Sequence, residues 1–401
     1  MREKYIMIIG GEFENKGAQA MSFITISRLS QQFPDHKLLF ISDLDYGKKE
    51  LNQYAFEVIQ NPFIRDNFFG ENIIRKILRK KIRDDHKNSK SFLHNTEYLF
   101  DISGYALSSQ WGEEGSRFYL KRFEIAQKYN IKTFILPQSI GPFEFEDEKM
   151  LEKLYAVLSN VNLIMPREIQ GKEALEKINV CNNVVQIPDM VLTNKKNINW
   201  NDIYKTKIKE KTFNIEANSI AIVPNMRNLD HGDSNAISKL YNDVINKLLS
   251  WDKNVYLIKH SKEDIEACKQ LKSLFPTEDR VKLISEDLTP SEFEELISLF
   301  DYSISSRFHS VVHSYKAKTP CLVLGWAIKY QELSKLFNQE KYVFDVRNNF
   351  SLEDFLSKLD YLNNNFQKEQ AEIEINLKVV DKIQDPFDIV INSLKNEGEE
   401  K

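Results

Sequence analysis

The run Asp301–Ser310, DYSISSRFHS, passes directly from a β-type stretch into a helical one and places Arg307 and His309 at the junction. A guanidinium is a planar fork for carboxylate or phosphate, and the first turn of a helix favours an anion through its bare N–H groups. The pair is therefore an anion clamp with a titratable neighbour, because histidine ionises near working pH. Ser310 follows on the same turn, and Lys329 stands at the next strand-to-helix junction, after CLVLGWAI, where it adds a mobile point charge at the same mouth. The plain alternative for Lys329 is a surface lysine opening a helix. His313 lies four residues beyond His309, a spacing that can hold zinc. Neither the Glu of the metalloprotease helix nor a third ligand accompanies it, so no metal is expected and His313 is assigned to the helix face or the core.

Two turns nearer the amino terminus could meet such a group. GGEFENKGAQA, Gly10–Ala20, follows an apolar strand and opens a helix, so Asn15, Gly17 and Ala18 can present backbone N–H groups to an anion or a sugar hydroxyl. The spacing is neither a dinucleotide fingerprint nor a P-loop, and a turn needed only for chain reversal is the alternative. In LPQSIGPF, Gln138 and Ser139 sit between Pro137 and Gly141-Pro142, which suggests a rigid turn aimed into a cleft or an ordinary turn with a satisfied Gln. Ser103-Gly104-Tyr105 ends the preceding strand in the same way. Asn225 and Arg227 after Ser219–Pro224, and His260 after Val255–Lys259, complete the candidates; His260 reads equally as the neighbour of a helix start, with Asp264 one turn on.

These junctions recur because short β-rich runs alternate with helical periods. Tyr5–Ile9, a helix from about Gly17 to Gln32, and Lys37–Ser42 begin the rhythm, and strands at Tyr98–Ile102 and Thr133–Leu136 continue it. After a polar, Lys- and Asn-rich stretch it restarts at Ser219–Val223 and runs through Val255–Lys259, Val281–Ile284, Tyr302–Ser305 and Cys321–Leu324. The expected fold class is α/β, two Rossmann-like doubly wound domains facing a cleft, with ligands outside the carboxyl ends of the strands. The expected boundaries are an N-terminal domain at 1–195, a linker at 196–218, and a C-terminal domain at 219–365 that carries the Arg307, His309 and Lys329 junctions. A helix and tail at 366–401 are expected to pack back on the first domain.

In a chain of 401 residues, 55 Lys and Arg stand against 59 Asp and Glu, a balance that lacks the electrostatic footprint of a nucleic-acid binder, so no nucleic-acid partner is expected. Cys181, Cys268 and Cys321 are odd in number and far apart, against a disulfide framework or structural zinc, and they point to the cytoplasm. No stretch of about eighteen apolar residues offers a membrane span, and the first residues are too short for a signal peptide. From Ile73 to Arg83 apolar residues share one helical face with cations around them. The segment reads either as a helix lying on anionic lipid at the inner face of the cell membrane or as a surface helix packed on the core.

NKGAQA, PQSIGPF, Pro166-Arg167-Glu168, Pro188-Asp189 and SSRFHSVVHSYKAKTPCLVLGWAIKY, in that order over most of the chain, resemble the polysaccharide pyruvyl transferase family. The resemblance implies a GT-B-like architecture and a reaction that moves pyruvate from phosphoenolpyruvate onto sugar hydroxyls as a ketal. It implies a place in capsule or exopolysaccharide assembly, with a hexose acceptor in a polysaccharide or a lipid-linked precursor. Phosphoenolpyruvate is then a donor substrate and no cofactor is expected. Arg307, His309 and Lys329 match the family's donor-binding and activating residues, and Asn15, Gly17 and Ala18 its amino-terminal turn. On the residues alone, His309 serves as proton donor or as phosphate partner. A nucleotide-sugar glycosyltransferase and a non-catalytic carbohydrate-binding protein of polysaccharide assembly are the two other readings.

Overall fold

The structure, a computed structural model, describes residues 3–43, 45–63, 87–209, 211–225, 234–325, 327–346 and 351–399. The basic stretch Ile73–Arg83, Arg227 and Trp326 lie outside the described residues. Among the described residues the apolar runs become two six-stranded sheets. The first holds β1 (Lys4–Ile9), β2 (His36–Ile41), β3 (Glu57–Ile59), β4 (Thr96–Asp101), β5 (Lys132–Gln138) and β6 (Leu163–Pro166) in the order β3-β2-β1-β4-β5-β6. The second holds β7 (Ser219–Val223), β8 (Asn254–Ile258), β9 (Val281–Ile284), β10 (Tyr302–Ser305), β11 (Cys321–Gly325) and β12 (Val343–Asp345) in the order β12-β11-β10-β7-β8-β9.

Every strand pairs in parallel, so each connection must cross over, and helices cover the faces. Each sheet is thus a doubly wound Rossmann-like unit whose strand order reverses once, between β1 and β4 and between β7 and β10. Register levels the strand ends at those reversals: Ile9 pairs with Asp101, and Ser305 with Val223. The loops that follow must therefore emerge side by side, and they carry Gly10, Ser103, Asn225 and Arg307.

The helix Lys16–Gln32 shows how the two halves meet. Asn15 caps it by accepting from the Gly17 N–H at 3.0 Å. Apolar and small residues surround it on almost every side, and most of Lys16 to Leu29 is buried, because it lies between the first sheet and the helices Pro290–Ile297 and Phe308–Lys316 of the second half. Thr289 opens the first of those with a capping box closed by Glu292. The chain from Asn199 to Lys205 packs on the first half, through the bridge of Tyr204 to Tyr54, and by Lys211 it contacts Glu292 of the second.

Two helices end the chain. Leu352–Val380 lies against β10, and Pro386–Glu399 returns to β5 of the first sheet. At the return the buried guanidinium of Arg28 donates to Asp385 and to Asp388, the latter at 3.0 Å, and lies 5.1 Å from the centre of the Phe387 ring. Among the described residues no helix is long and apolar enough to cross a membrane.

Candidate active site

The facing carboxyl edges of the two sheets enclose a cavity of about 390 Å³, within the usual range for small-molecule sites. Of the residues singled out from sequence, Asn15, Ala18, Ser103, Gly104, Tyr105, Asn225, His260, Arg307, His309 and Lys329 all line it. The guanidinium, imidazole and ammonium expected to converge do share one cavity.

His309 is seated across the boundary between the halves. Its Nε2 lies 3.3 Å from Asp189 Oδ2, near enough for ion pairing although not aligned as a hydrogen bond. Asp189 Oδ2 also accepts from Arg167 Nη1 at 2.8 Å, and Oδ1 accepts from the Val191 N–H at 2.9 Å. Burial pulls the pKa of His309 below its ordinary value, while the charge of Asp189 pulls it back up. Burial also pushes the Asp189 carboxyl upward, but the charges of His309 and Arg167 outweigh it and hold the group well below the usual carboxylate range. On its other side the ring packs on Gly17: a methyl there would come within 2.5 Å of His309 Cβ and closer still to Cγ and Nδ1. The close approach that Gly17 permits is thus made by the histidine, and Gly17 is not among the residues lining the cavity.

Arg307 does not offer an empty fork. Asp264 grips it through Nε at 2.9 Å and Nη2 at 2.6 Å, and Glu263 pairs with Nη2 as well. The Asp264 side chain is fully buried whereas that of Glu263 is 45% exposed, so the first is a fixed brace and the second a movable one. Lys329 opens its helix and holds its ammonium over three rings, 5.3 Å from the centre of Phe308, 5.5 Å from Tyr105 and 5.8 Å from Tyr330. His260 is 1% exposed, its ring nitrogens lack hydrogen-bond partners among the described residues, and burial drives its pKa well below the ordinary value.

Three further expectations are corrected. Gln138 is the last residue of β5 and faces inward, donating to Asp101 at 3.0 Å and to the Tyr119 hydroxyl at 3.2 Å. Ser139 bonds to Glu168 at 2.8 Å and accepts from Arg167. Ser310 turns back to the Arg307 carbonyl at 2.7 Å. All three are buried and stand behind the cavity wall; Ser139 and Ser310 brace Arg167 and Arg307, which line it, and Gln138 holds Asp101, which in turn holds Arg122 of the lining. His313 and His309 diverge, since His313 Nδ1 pairs with Glu294 at 3.0 Å. Among the described residues no group of three or more His, Cys, Asp or Glu is arranged to hold a metal.

Sequence reasoning left Arg167, Asp189 and Arg122 out of the site. Arg167 follows β6 at the same sheet edge, so the rule that singled out Arg307 applies to it equally. Asp189 caps the short helix Met190–Thr193, and the Pro-Asp pair before it was a visible signal. Arg122 lies within the helix Gly112–Lys128 and reaches Asp101 at 2.6 Å and Ser103 at 3.0 Å; nothing in its local sequence marks it. The halves also touch around the cavity: Asn15 bridges Ser261, Lys16 N–H donates to the His260 carbonyl at 3.1 Å, and Lys16 Nζ pairs with Asp287 at 2.8 Å.

Solved structures of similar shape share the architecture. A UDP-GlcNAc 2-epimerase from Methanocaldococcus jannaschii superposes with a TM-score of 0.53 at 12% identity, over 93% of this chain and 99% of that one. A glycosyltransferase from Rickettsia africae gives 0.53 at 14% identity, over 99% and 100%. A UDP-GlcNAc 2-epimerase from Neisseria meningitidis, solved with UDP-GlcNAc bound, gives 0.55 at 10% identity, over 98% and 100%. At such identities the likeness shows the fold, which is GT-B-like. No curated protein sequence matches the chain. The family model for polysaccharide pyruvyl transferase matches residues 15–327, from the asparagine that caps the first helix to the loop before Lys329. The chain belongs to the polysaccharide pyruvyl transferase family.

Proposed function

We propose that the protein transfers pyruvate from phosphoenolpyruvate to two hydroxyls of a hexose, in a polysaccharide or lipid-linked precursor, and releases phosphate. The observation that carries this reading is the meeting of Arg307, Lys329 and the largely shielded His309 imidazole in one cavity between the two halves. Phosphoenolpyruvate puts a carboxylate and a phosphate on one small frame, so it needs two cationic holders and one acid. Lys329 meets one anionic group and Arg307 the other, the donor taking the place of the half-exposed Glu263 while Asp264 keeps the guanidinium in position.

Once the anionic donor is bound, its charge draws a proton onto His309, which passes it to the methylene carbon and leaves C2 cationic. One sugar hydroxyl adds to C2 and returns its proton to His309. The C2–O bond to phosphate then breaks with the electron pair leaving on phosphate, and Arg307 and Lys329 stabilise that charge. The second hydroxyl closes the ring, its proton leaving with the phosphate, so donor and diol become ketal and phosphate. The acceptor lies along Asn15, Ala18 and Ser103 to Tyr105. If it is lipid-linked, the basic stretch Ile73–Arg83 brings the protein to the membrane surface.

The test is incubation with phosphoenolpyruvate and a panel of lipid-linked or nitrophenyl hexosides, read by mass spectrometry for the gain of one pyruvate less water. Arg307→Ala and His309→Ala should abolish the gain with the fold intact, and full activity in either removes this assignment. A melting temperature raised by UDP-sugars and not by phosphoenolpyruvate would favour a nucleotide-sugar enzyme instead.

A further inference from the structure

The groups that seat His309 from across the cleft belong to the other half of the molecule. His309 is in the first turn of Phe308–Lys316, behind β10 of the second sheet, whereas Arg167 and Asp189 follow β6 of the first and Gly17 opens its first helix. Asp189 is pinned: Arg167 and the Val191 N–H hold its two oxygens, and its side chain is 1% exposed. Its Oδ2 faces His309 Nε2, while His309 Nδ1 lies by Gly17, next to Asn15 and Ala18 of the cavity lining. A carboxylate so placed favours a proton on Nε2, which leaves Nδ1 without one in the neutral ring.

We infer that Asp189 is a positioning residue of the transfer reaction, which fixes the ring and the Nε2–H tautomer of His309 from across the cleft. The imidazole is therefore set for proton transfer only while the halves are closed on each other. This rests on the reading of His309 as the proton donor; Asp189 itself touches no reacting atom. Parting the halves leaves His309 on its helix but strips it of Asp189, Arg167 and the Gly17 floor together. Among the described residues the charged and titratable groups that bear on His309 are Asp189, Arg167, His313 and His260, with Glu12, Asp43, Arg122, Arg307 and Lys329 lining the shared cavity. Asp189 is the carboxylate that meets the ring, so removing its charge disfavours the imidazolium.

Asp189→Asn in the full chain is the first test, with kcat, KM for phosphoenolpyruvate and the pH profile measured on hexosides that the wild type converts. General acid–base catalysis is worth about 10²–10⁴-fold, and kcat should fall within that range with KM little changed. The descending limb of kcat/KM should move to lower pH, and Asp189→Glu should recover part of kcat. An unchanged kcat and profile in Asp189→Asn overturns the inference. So does a loss of kcat that tracks a loss of melting temperature and is not eased by Glu, since that describes a brace only. A second measurement needs no Asp189 variant: ¹⁵N NMR of histidine-labelled wild type, with His309 assigned by its disappearance in His309→Gln. The Nε2–H tautomer is expected, and the Nδ1–H tautomer overturns the inference. A wild type that makes no ketal from any hexoside and gains no stability from phosphoenolpyruvate sinks the functional reading instead, and that result precedes every variant.

Discussion

Gly17→Ala offers a sharp test of the assembled site because it changes one atom at a contact between the halves. The added methyl would stand 2.5 Å from His309 Cβ and nearer to two ring atoms, where ordinary contact needs 3.4–4 Å. Either the imidazole retreats by roughly an ångström or the two halves part by that distance, since the atoms met lie near the root of the side chain. Overpacking of this kind costs about 1–3 kcal/mol if the closed form persists. A displacement of about 1 Å at a reacting group costs about 10²-fold in rate. The expected outcome is a kcat about a hundredfold lower, with the protein still folded and still stabilised by phosphoenolpyruvate. Phosphate release and ketal formation are the assays, and thermal unfolding with and without donor separates site from fold. Gly115→Ala is the control, because its methyl would meet only Trp111 Cβ, at 3.4 Å, within a helix. Wild-type kcat in folded Gly17→Ala would refute the placement of His309 on Gly17.

Glu263→Gln should tighten phosphoenolpyruvate binding, because it removes the half-exposed carboxylate that the donor displaces from Arg307. Exposed pairs are worth about 0.2–1 kcal/mol, so the gain should reach at most about fivefold, and weaker binding by titration calorimetry contradicts the exchange. Arg28→Ala leaves Asp385 buried without its guanidinium and should cost about 3–5 kcal/mol in urea unfolding; a loss below about 1 kcal/mol would place the return of the last helix elsewhere in the energetics. His260 gives a pH signature. Burial holds its folded pKa far below the unfolded value of about 6.5, so at acid pH the unfolded chain binds a proton that the folded one refuses. Its contribution is present above about pH 6.5 and is lost as pH falls, by up to about 1.4 kcal/mol per unit. His309 acts in the same direction. His260→Gln should flatten the slope of unfolding free energy between neutral and mildly acid pH, and an unchanged slope counts against a neutral buried imidazole.

The fold was largely legible because strand and helix periods survive at each junction. Tyr302–Ser305 and the helix after it fall where alternation places them, and Thr289-Pro290-Ser291 announces its helix through local capping chemistry. The sheet-edge rule also brought Arg307, His309 and Lys329 to one mouth. What the sequence did not disclose is pairing between distant residues. Asp264 precedes Arg307 by 43 positions and takes its fork, and no spacing rule foretells that. Asp189 meets His309 only after two separate sheets are complete. The turn at Gln138 reads from sequence either as aimed into the cleft or as holding a satisfied Gln, and the second is found: β5 runs on to include it, and its amide turns to Asp101. The final segment also divides into two helices at Asp381–Asp385, where the sequence period suggested one.

The return of Pro386–Glu399 to the first sheet, fastened by Arg28, means that among the described residues the path crosses between the halves twice, once after Lys205 and before Lys211 and again near 380–386. Two such straps, with apolar side chains of both halves buried in one cluster beside them, resist twisting or sliding of one jaw on the other and keep the same atoms in register, as a group divided between both jaws demands.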